Sequence, residues 1–450
     1  MKLACVGMLA VAACGRIGFD ALPDDGDAAS NVPVWGSGTR LRAMVADFGD
    51  GNRELVDWFD SQLGSKCVST PTSAGRRHCL PIMASAVYAD AGCTSRLGYW
   101  PDASGPLPAW LISYEQTPCQ SVGHIFPLAA EVAPPTMYFI GGPTSCLGPY
   151  AAPGQQRYFQ VGAELDPSSE FVEIRPSIVG TGRLRENGWE ASDGSFERRE
   201  LLDTDIGLTC SMKLTTDGVR CLPTGAPTSA FYADAGCTQQ LVDRRCTQSP
   251  FVTTVTGCGP VHVFDATEPW TGQVYSMTGT CQPATADRPL ASVQAEVPEA
   301  RFVSAVAVTE VTGGRLDRVS WHALDGGRAR RDYFDTQRGE PCGYSVSSQF
   351  GYHCLPTQVA LSTGDYGDAS CSQTITALDP SCPMPDYIYG ADSRGIFLHL
   401  VDKLAAQPTQ HFNYLGSCNN VGLDLTKTYL TGAIEVLDLD TWAKGNETLE

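Results

Sequence analysis

One spacing pattern occurs three times in this chain, and few folds accommodate it. Arg40-Leu41 is followed by Asp50-Gly51, Asp60, Cys67 and Cys79-Leu80-Pro81. The second copy has Arg183-Leu184, Asp193-Gly194, Asp203, Cys210 and Cys221-Leu222-Pro223, and the third has Arg315-Leu316, Asp325-Gly326, Asp335, Cys342 and Cys354-Leu355-Pro356. In every copy the steps are nine residues from Leu to Asp-Gly, ten from there to the next Asp, and seven from that Asp to Cys. Further along, the Tyr-Ala-Asp-Ala-Gly-Cys of residues 88–93 recurs at 232–237 and, as Tyr-Gly-Asp-Ala-Ser-Cys, at 366–371. The period is 143 residues and then 132, the mark of a domain-sized internal repeat.

Asp-Gly between extended stretches is a tight-hairpin signal, because both turn positions tolerate positive φ. Residues 40–46 and 53–60 should therefore pair, and the segment between Cys67 and Cys79 reads as a second hairpin clipped by its own disulfide. Four strands in about 42 residues is the size of one propeller blade. The rest of each copy is strand-like too, as at 109–114, 124–128, 302–308 and 396–401, and Gly 46 with Pro 30 suits an all-β chain. The expected fold is all-β: three repeats of about 130–145 residues, two four-stranded blades each, closing into a six-bladed β-propeller. Three β domains in tandem are the alternative. The expected boundaries are signal peptide 1–13, lipidated cysteine and acidic linker 14–38, and repeats 39–180, 181–313 and 314–450.

The N-terminus, MKLACVGMLAVAAC, has one Lys, a short apolar run, small residues and a cysteine, the layout of a secretory signal. The apolar run is about half of the roughly 20 residues that a membrane-spanning helix needs. Val11-Ala12-Ala13-Cys14 resembles a bacterial lipobox, which implies cleavage before Cys14 and a diacylglycerol on its thiol. Gly15 after that cysteine, by analogy with Gram-negative sorting rules, points to the outer membrane, with the face left open. Loss of Lys2 with the signal leaves 30 basic against 50 acidic residues, a surface that repels nucleic acid. Residues 20–38, acidic and rich in Pro and Gly, read as a flexible tether.

Of 18 cysteines, Cys5 leaves with the signal and Cys14 goes to lipid; the 16 that remain suit a disulfide framework in an oxidising compartment. The second copy admits the local pairs Cys210–Cys221, Cys237–Cys246 and Cys258–Cys281. Transferred to the other copies, these give Cys67–Cys79, Cys119–Cys146, Cys342–Cys354 and Cys371–Cys382. Cys93 and Cys418 remain and would tie the first copy to the last; a local pair such as Cys93–Cys119 is the alternative. No C-x-x-C occurs, which argues against a zinc–thiolate site.

No catalytic or nucleotide-binding motif of the G-x-S-x-G, H-E-x-x-H, G-x-x-x-x-G-K-[ST] or G-x-G-x-x-G type is present, and no cofactor is expected. His124, His262 and His399 lie 22, 19 and 19 residues before a cysteine and so occupy similar places in the three copies. They could converge on a metal near a threefold axis, although a strand histidine more often serves the core. The repeated aspartates invite a calcium reading, against which stands the usual role of Asp and Gly in turn geometry. Tyr88, Tyr232 and Tyr366 read as core or corner residues.

The mature chain resembles a set of cysteine-rich predicted cell-envelope lipoproteins of myxobacterial type, through CGRIGFD at 14–20 and the repeated CLP and YADAGC motifs. That resemblance implies location and repeat architecture and transfers no catalytic residue. The first functional expectation is a lipid-anchored binding module for a protein or glycan ligand, since rigid β scaffolds present loops at fixed positions. A propeller-type hydrolase acting on glycans or esters and a purely structural envelope component are the alternatives.

Overall fold

The computed structural model describes residues 34–450, apart from 102–106, 118, 143–144, 155, 247–248, 256–257, 279, 348–350, 358, 363–364, 379–381, 393–394, 403–407, 409, 415–417, 421–427 and 433–441. The signal, Cys14 and most of the linker fall in residues 1–33, outside the described residues. Among the described residues the chain is all-β, with two short 3-10 turns.

The first repeat contributes β1 (Leu41–Asp47), β2 (Arg53–Asp60), β3 (Ser65–Pro71), β4 (Arg77–Pro81) and, after a long insertion, β5 (Glu173–Val179). The second contributes β6 (Leu184–Ala191), β7 (Phe196–Asp203), β8 (Leu208–Thr215), β9 (Gly218–Pro223) and β10 (Ser304–Glu310). The third contributes β11 (Leu316–Ala323), β12 (Arg328–Asp335), β13 (Glu340–Ser347), β14 (Gly351–Pro356) and β15 (Ala443–Leu449). Both hairpins expected in each repeat form: β1 pairs with β2 and β3 with β4, with their counterparts in the other copies. Gly51, Gly194 and Gly326 in the first turns have φ of 85°, 91° and 93°, a region that penalises any Cβ.

The blades of a propeller do not form, because each fifth strand pairs onward with the first strand of the next copy. β5 joins β6, β10 joins β11, and β15 joins β1. All fifteen strands therefore belong to one sheet, completed to sixteen by a short strand at Trp35–Gly36 that pairs with β7. Pairing of β15 with β1 also rules out independent tandem domains, since the last repeat is hydrogen-bonded to the first. Fifteen antiparallel steps cannot alternate consistently around a circuit, so the strands do not share one axis. Pairing is brief at several steps: three residue pairs at β2–β3, β7–β8, β12–β13 and β14–β15, and two at β4–β5 and β9–β10.

Each repeat packs its own core from equivalent positions. Leu41, Trp58, Cys67 and Cys79 cluster with Trp189 from the second repeat; Leu184, Leu201, Cys210 and Cys221 cluster with Trp321 from the third. Leu316, Tyr333, Cys342 and Cys354 cluster with Phe48 from the first. Each core thus borrows an aromatic from the following copy, and burying one such side chain contributes about 2–3 kcal/mol.

The carboxylates that recur with the repeat hold it together. Asp60, Asp203 and Asp335 are fully buried and face Arg40, Arg183 and Arg315 at 2.7, 2.8 and 2.7 Å. The turn aspartates reach between copies: Asp193 Oδ2 accepts from Leu41 N at 2.6 Å, Asp325 Oδ2 from Leu184 N at 2.5 Å, and Asp50 Oδ2 from Leu316 N at 2.9 Å.

Insertions follow the fourth strand of every repeat. The first contains a closed five-stranded barrel of Ala84–Tyr88, Arg96–Trp100, Arg157–Val161, Ser121–Val132 and Trp110–Gln116. Eight disulfides are present among the described residues. Cys67–Cys79, Cys210–Cys221 and Cys342–Cys354 clip the hairpins as expected. The other expected pairings, Cys119–Cys146, Cys237–Cys246, Cys258–Cys281, Cys371–Cys382 and Cys93–Cys418, are replaced. Cys93–Cys146, Cys237–Cys281 and Cys371–Cys418 are the repeated bond, while Cys119–Cys246 and Cys258–Cys382 join neighbouring insertions. The shortest local pairing in the second copy misled because Cys246 and Cys258 bond outside that copy.

Two outcomes test this architecture. Non-reducing peptide mapping should recover Cys93–Cys146 and the two inter-repeat bonds; a Cys93–Cys418 peptide would contradict the strand circuit's disulfide pattern. Asp203→Asn should destabilise the fold by about 3 kcal/mol in urea unfolding, because it leaves Arg183 without its buried counter-charge; a loss under about 1 kcal/mol would show the pair to be incidental.

Candidate functional site

The residues singled out in the sequence are mostly committed to architecture. Asp50, Asp193 and Asp325 accept backbone N–H groups, and Asp60, Asp203 and Asp335 bind arginine, so none of these six is left for calcium. Asp90, Asp234 and Asp368 each organise a Tyr-x-Asp-x-x-Cys loop by accepting from residues two to five positions on. Hydrogen bonds led by the backbone N–H of Ser95 and of Gln239 hold the Asp90 and Asp234 carboxyls below the usual range. The loop sets Cys93, Cys237 and Cys371 at φ of 51°, 52° and 50°, a conformation that an ordinary residue adopts only when its surroundings enforce it. Tyr88 and Tyr366 are buried, and Tyr232 is partly so.

The three histidines are held by partners within their own insertions. His124 contacts Glu164 at 2.8 Å and Glu115 at 3.1 Å, His262 contacts Glu296 at 2.6 Å, and buried His399 lies 3.4 Å from Thr374. Among the described residues no group of three His, Cys, Asp or Glu side chains is placed to hold a metal ion.

The polar cluster that departs from threefold equivalence lies where the third repeat meets the first. Lys66 Nζ is 3.2 Å from Glu447 Oε2, and the Tyr352 hydroxyl donates to the same oxygen. Tyr344 stacks on Tyr352 with centroids 5.9 Å apart and planes 15° apart. Behind them Glu54 pairs with Arg330 at 2.9 Å. Strand register places Glu447 level with Pro176 and Ala307, Tyr352 with Arg77 and Val219, and Tyr344 with Ser69 and Met212. One junction is thus apolar at these positions, another carries an arginine, and among the described residues only this seam combines carboxylate, lysine and two tyrosines.

Electrostatics separate the carboxyls. The Tyr352 hydroxyl and Lys66 outweigh desolvation and hold Glu447 below the ordinary carboxylate range. Burial pushes Asp57 up, Glu447 adds to this, and the Trp58 N–H and Lys66 only partly offset it. Burial also raises Glu54 against the pull of Arg330. Carboxyls with divergent proton affinities beside phenols are a frequent property of recognition and catalytic surfaces.

A family model matches residues 9–396. The chain belongs to a family of unknown function, DUF7481. No curated protein and no solved structure matches the chain. The match ends within the third insertion, before β15 and its Glu447.

Sequence reasoning missed the seam because it sought what the copies share. Glu54, Asp57, Lys66, Tyr344, Tyr352 and Glu447 stand out only when residues at equivalent register are compared for what differs. If Asp57 is kept for recognition at the expense of stability, Asp57→Asn should raise Tm by about 1–2 °C in calorimetry at pH 7; a fall in Tm would identify Asp57 as a stabilising residue instead.

Proposed function

We propose that the chain is an exported, lipid-anchored binding module of the cell envelope whose recognition surface is the seam between the third and first repeats. The observation that carries this reading is the grouping of Lys66, Tyr344, Tyr352 and Glu447 at one of three equivalent junctions. Carboxylates accept hydrogen bonds from vicinal hydroxyls, and Tyr352 offers an apolar body with a polar tip. The seam therefore suits a hydroxyl-rich glycan, and a formal charge of −19 disfavours polyanions. Eight disulfides suit an extracellular or envelope setting. Among the described residues no helix is long and apolar enough to cross a membrane; Cys14 of the lipobox-like tetrad supplies the attachment in this reading.

Co-sedimentation with isolated envelope polysaccharide tests the site. The native protein should bind saturably, and Glu447→Ala and Lys66→Ala, whose side chains are both open to solvent, should weaken binding about tenfold with Tm unchanged. Equal binding by all three proteins would remove the seam from consideration. Incorporation of alkyne-palmitate that is lost in Cys14→Ser tests the anchor separately.

A further inference from the structure

The opening of the first insertion carries a second group of polar side chains, with a different chemistry. His78, on β4 immediately before Cys79, is fully buried. Its Nδ1 lies 3.0 Å from Thr72 Oγ1, and its Nε2 lies 3.4 Å from Ser168 Oγ. Thr72 Oγ1 also donates to the carbonyl oxygen of Arg76 at 3.0 Å. A carbonyl can only accept, so the threonine proton is committed there and its oxygen accepts from Nδ1–H. That assignment leaves Nε2 unprotonated and facing the Ser168 hydroxyl, which sits on an exposed 3-10 turn, Pro167–Ser169, set by Asp166.

We propose that Ser168, His78 and Thr72 form a nucleophile, general base and positioning residue for hydrolysis of a small uncharged acyl ester. Ser168 Oγ attacks the acyl carbon while its proton passes to His78 Nε2. Collapse of the tetrahedral intermediate breaks the bond to the alkoxy oxygen, which leaves with that proton as alcohol. Water then attacks the acyl-serine, gives a proton to Nε2 and releases the carboxylic acid, and Ser168 recovers its proton from His78. Ester and water become acid and alcohol, with no other reactant.

The surroundings fit this role. Burial lowers the His78 pKa, which keeps the imidazole neutral near pH 7, while Glu173 and Asp166 lie close enough to favour the transient imidazolium. Arg76, paired with Glu173 at 2.7 Å, is the cation beside this group. Ser73 and His124 both hydrogen-bond Glu164 Oε1 at the rim, at 2.7 and 2.8 Å. With Glu164, Asp166 and Glu173 nearby, an anionic ester is disfavoured. The second repeat fills the same positions with Arg220 and Glu299, and Arg220 binds Asp217 at 2.6 Å. A salt-bridge cluster thus takes the place of hydroxyl and imidazole in the second copy, while the third keeps a buried histidine, His353, at the position of His78.

The experiment uses the whole mature protein with p-nitrophenyl acetate and, separately, a fluorophosphonate probe read by peptide mass spectrometry. The native protein should hydrolyse the ester and be labelled on Ser168. Ser168→Ala, on an exposed turn, should keep the native Tm and lose at least about 100-fold in kcat/KM. The rising limb of the pH profile should lie below 6.5, and Thr72→Val should shift that limb while leaving some activity, as a positioning residue requires. A native protein that is neither labelled at Ser168 nor active, or a Ser168→Ala protein that keeps its activity, overturns the proposal.

Discussion

The carboxylate of each Asp-Gly turn ends on the backbone of a different repeat. Asp193 holds the start of β1, Asp325 the start of β6 and Asp50 the start of β11. Three hydrogen bonds arranged in a cycle mean that no copy can complete its own first strand. The interaction is charge-assisted and partly shielded from water, conditions in which a hydrogen bond contributes more than the usual 1 kcal/mol or so. Burial pushes Asp193 up, yet N–H groups from Leu41, Ser195 and Arg40 and the Ser195 hydroxyl bring it below its ordinary value. Strand pairing from β15 to β1 then repeats at the level of the sheet what the turns impose at the level of single atoms.

A scaffold built this way divides its residues into two classes. Those needed at every junction are fixed by the repeat: the glycine with positive φ, the turn aspartate, the buried Arg–Asp pair, the hairpin disulfide. All others can diverge between copies without loss of the circuit. Junction residues have diverged in kind, from Met212, Val219 and Ala307 at one junction to Tyr344, Tyr352 and Glu447 at another. The same holds for the closing turn of the insertion, Ser168 with His78 in one copy and Glu299 with Arg220 in the next. Chemistry in this molecule is therefore sought where equivalent positions disagree.

That division explains what was legible. Hairpins at 41–60 and 65–81 could be read because turn chemistry and cysteine spacing act over 12 residues or fewer. The fifth strand could not, since Glu173–Val179 returns to β4 after more than 90 intervening residues and nothing in its local pattern names its neighbour. Missing that strand turned one sheet into expected blades. Cysteine parity indicated disulfides throughout, but the nearest-neighbour rule failed for Cys246 and Cys258, whose partners lie 127 and 124 residues away. The polar sites were illegible for the reason already visible in their composition: each collects residues from segments far apart, as Lys66 and Glu447 are, with no motif joining them.

The inter-repeat disulfides add an asymmetry that the strand circuit lacks. Cys119–Cys246 fastens the first insertion to the second, and Cys258–Cys382 fastens the second to the third. Among the described cysteines no bond joins the third insertion to the first. Cross-links that close loops of this length remove several kcal/mol of chain entropy from the unfolded ensemble, so two junctions are stiffened in a way that the third is not. At that third junction the copies meet through β15 on β1, the Asp50 turn, Phe48 packed on the third core, and the Glu54–Arg330, Arg53–Glu450 and Lys66–Glu447 pairs. Exposed ion pairs such as Lys66–Glu447 add little stability, and segments of low local stability are those from which recognition surfaces are drawn. The junction without a disulfide between insertions and the most chemically distinct one are the same junction.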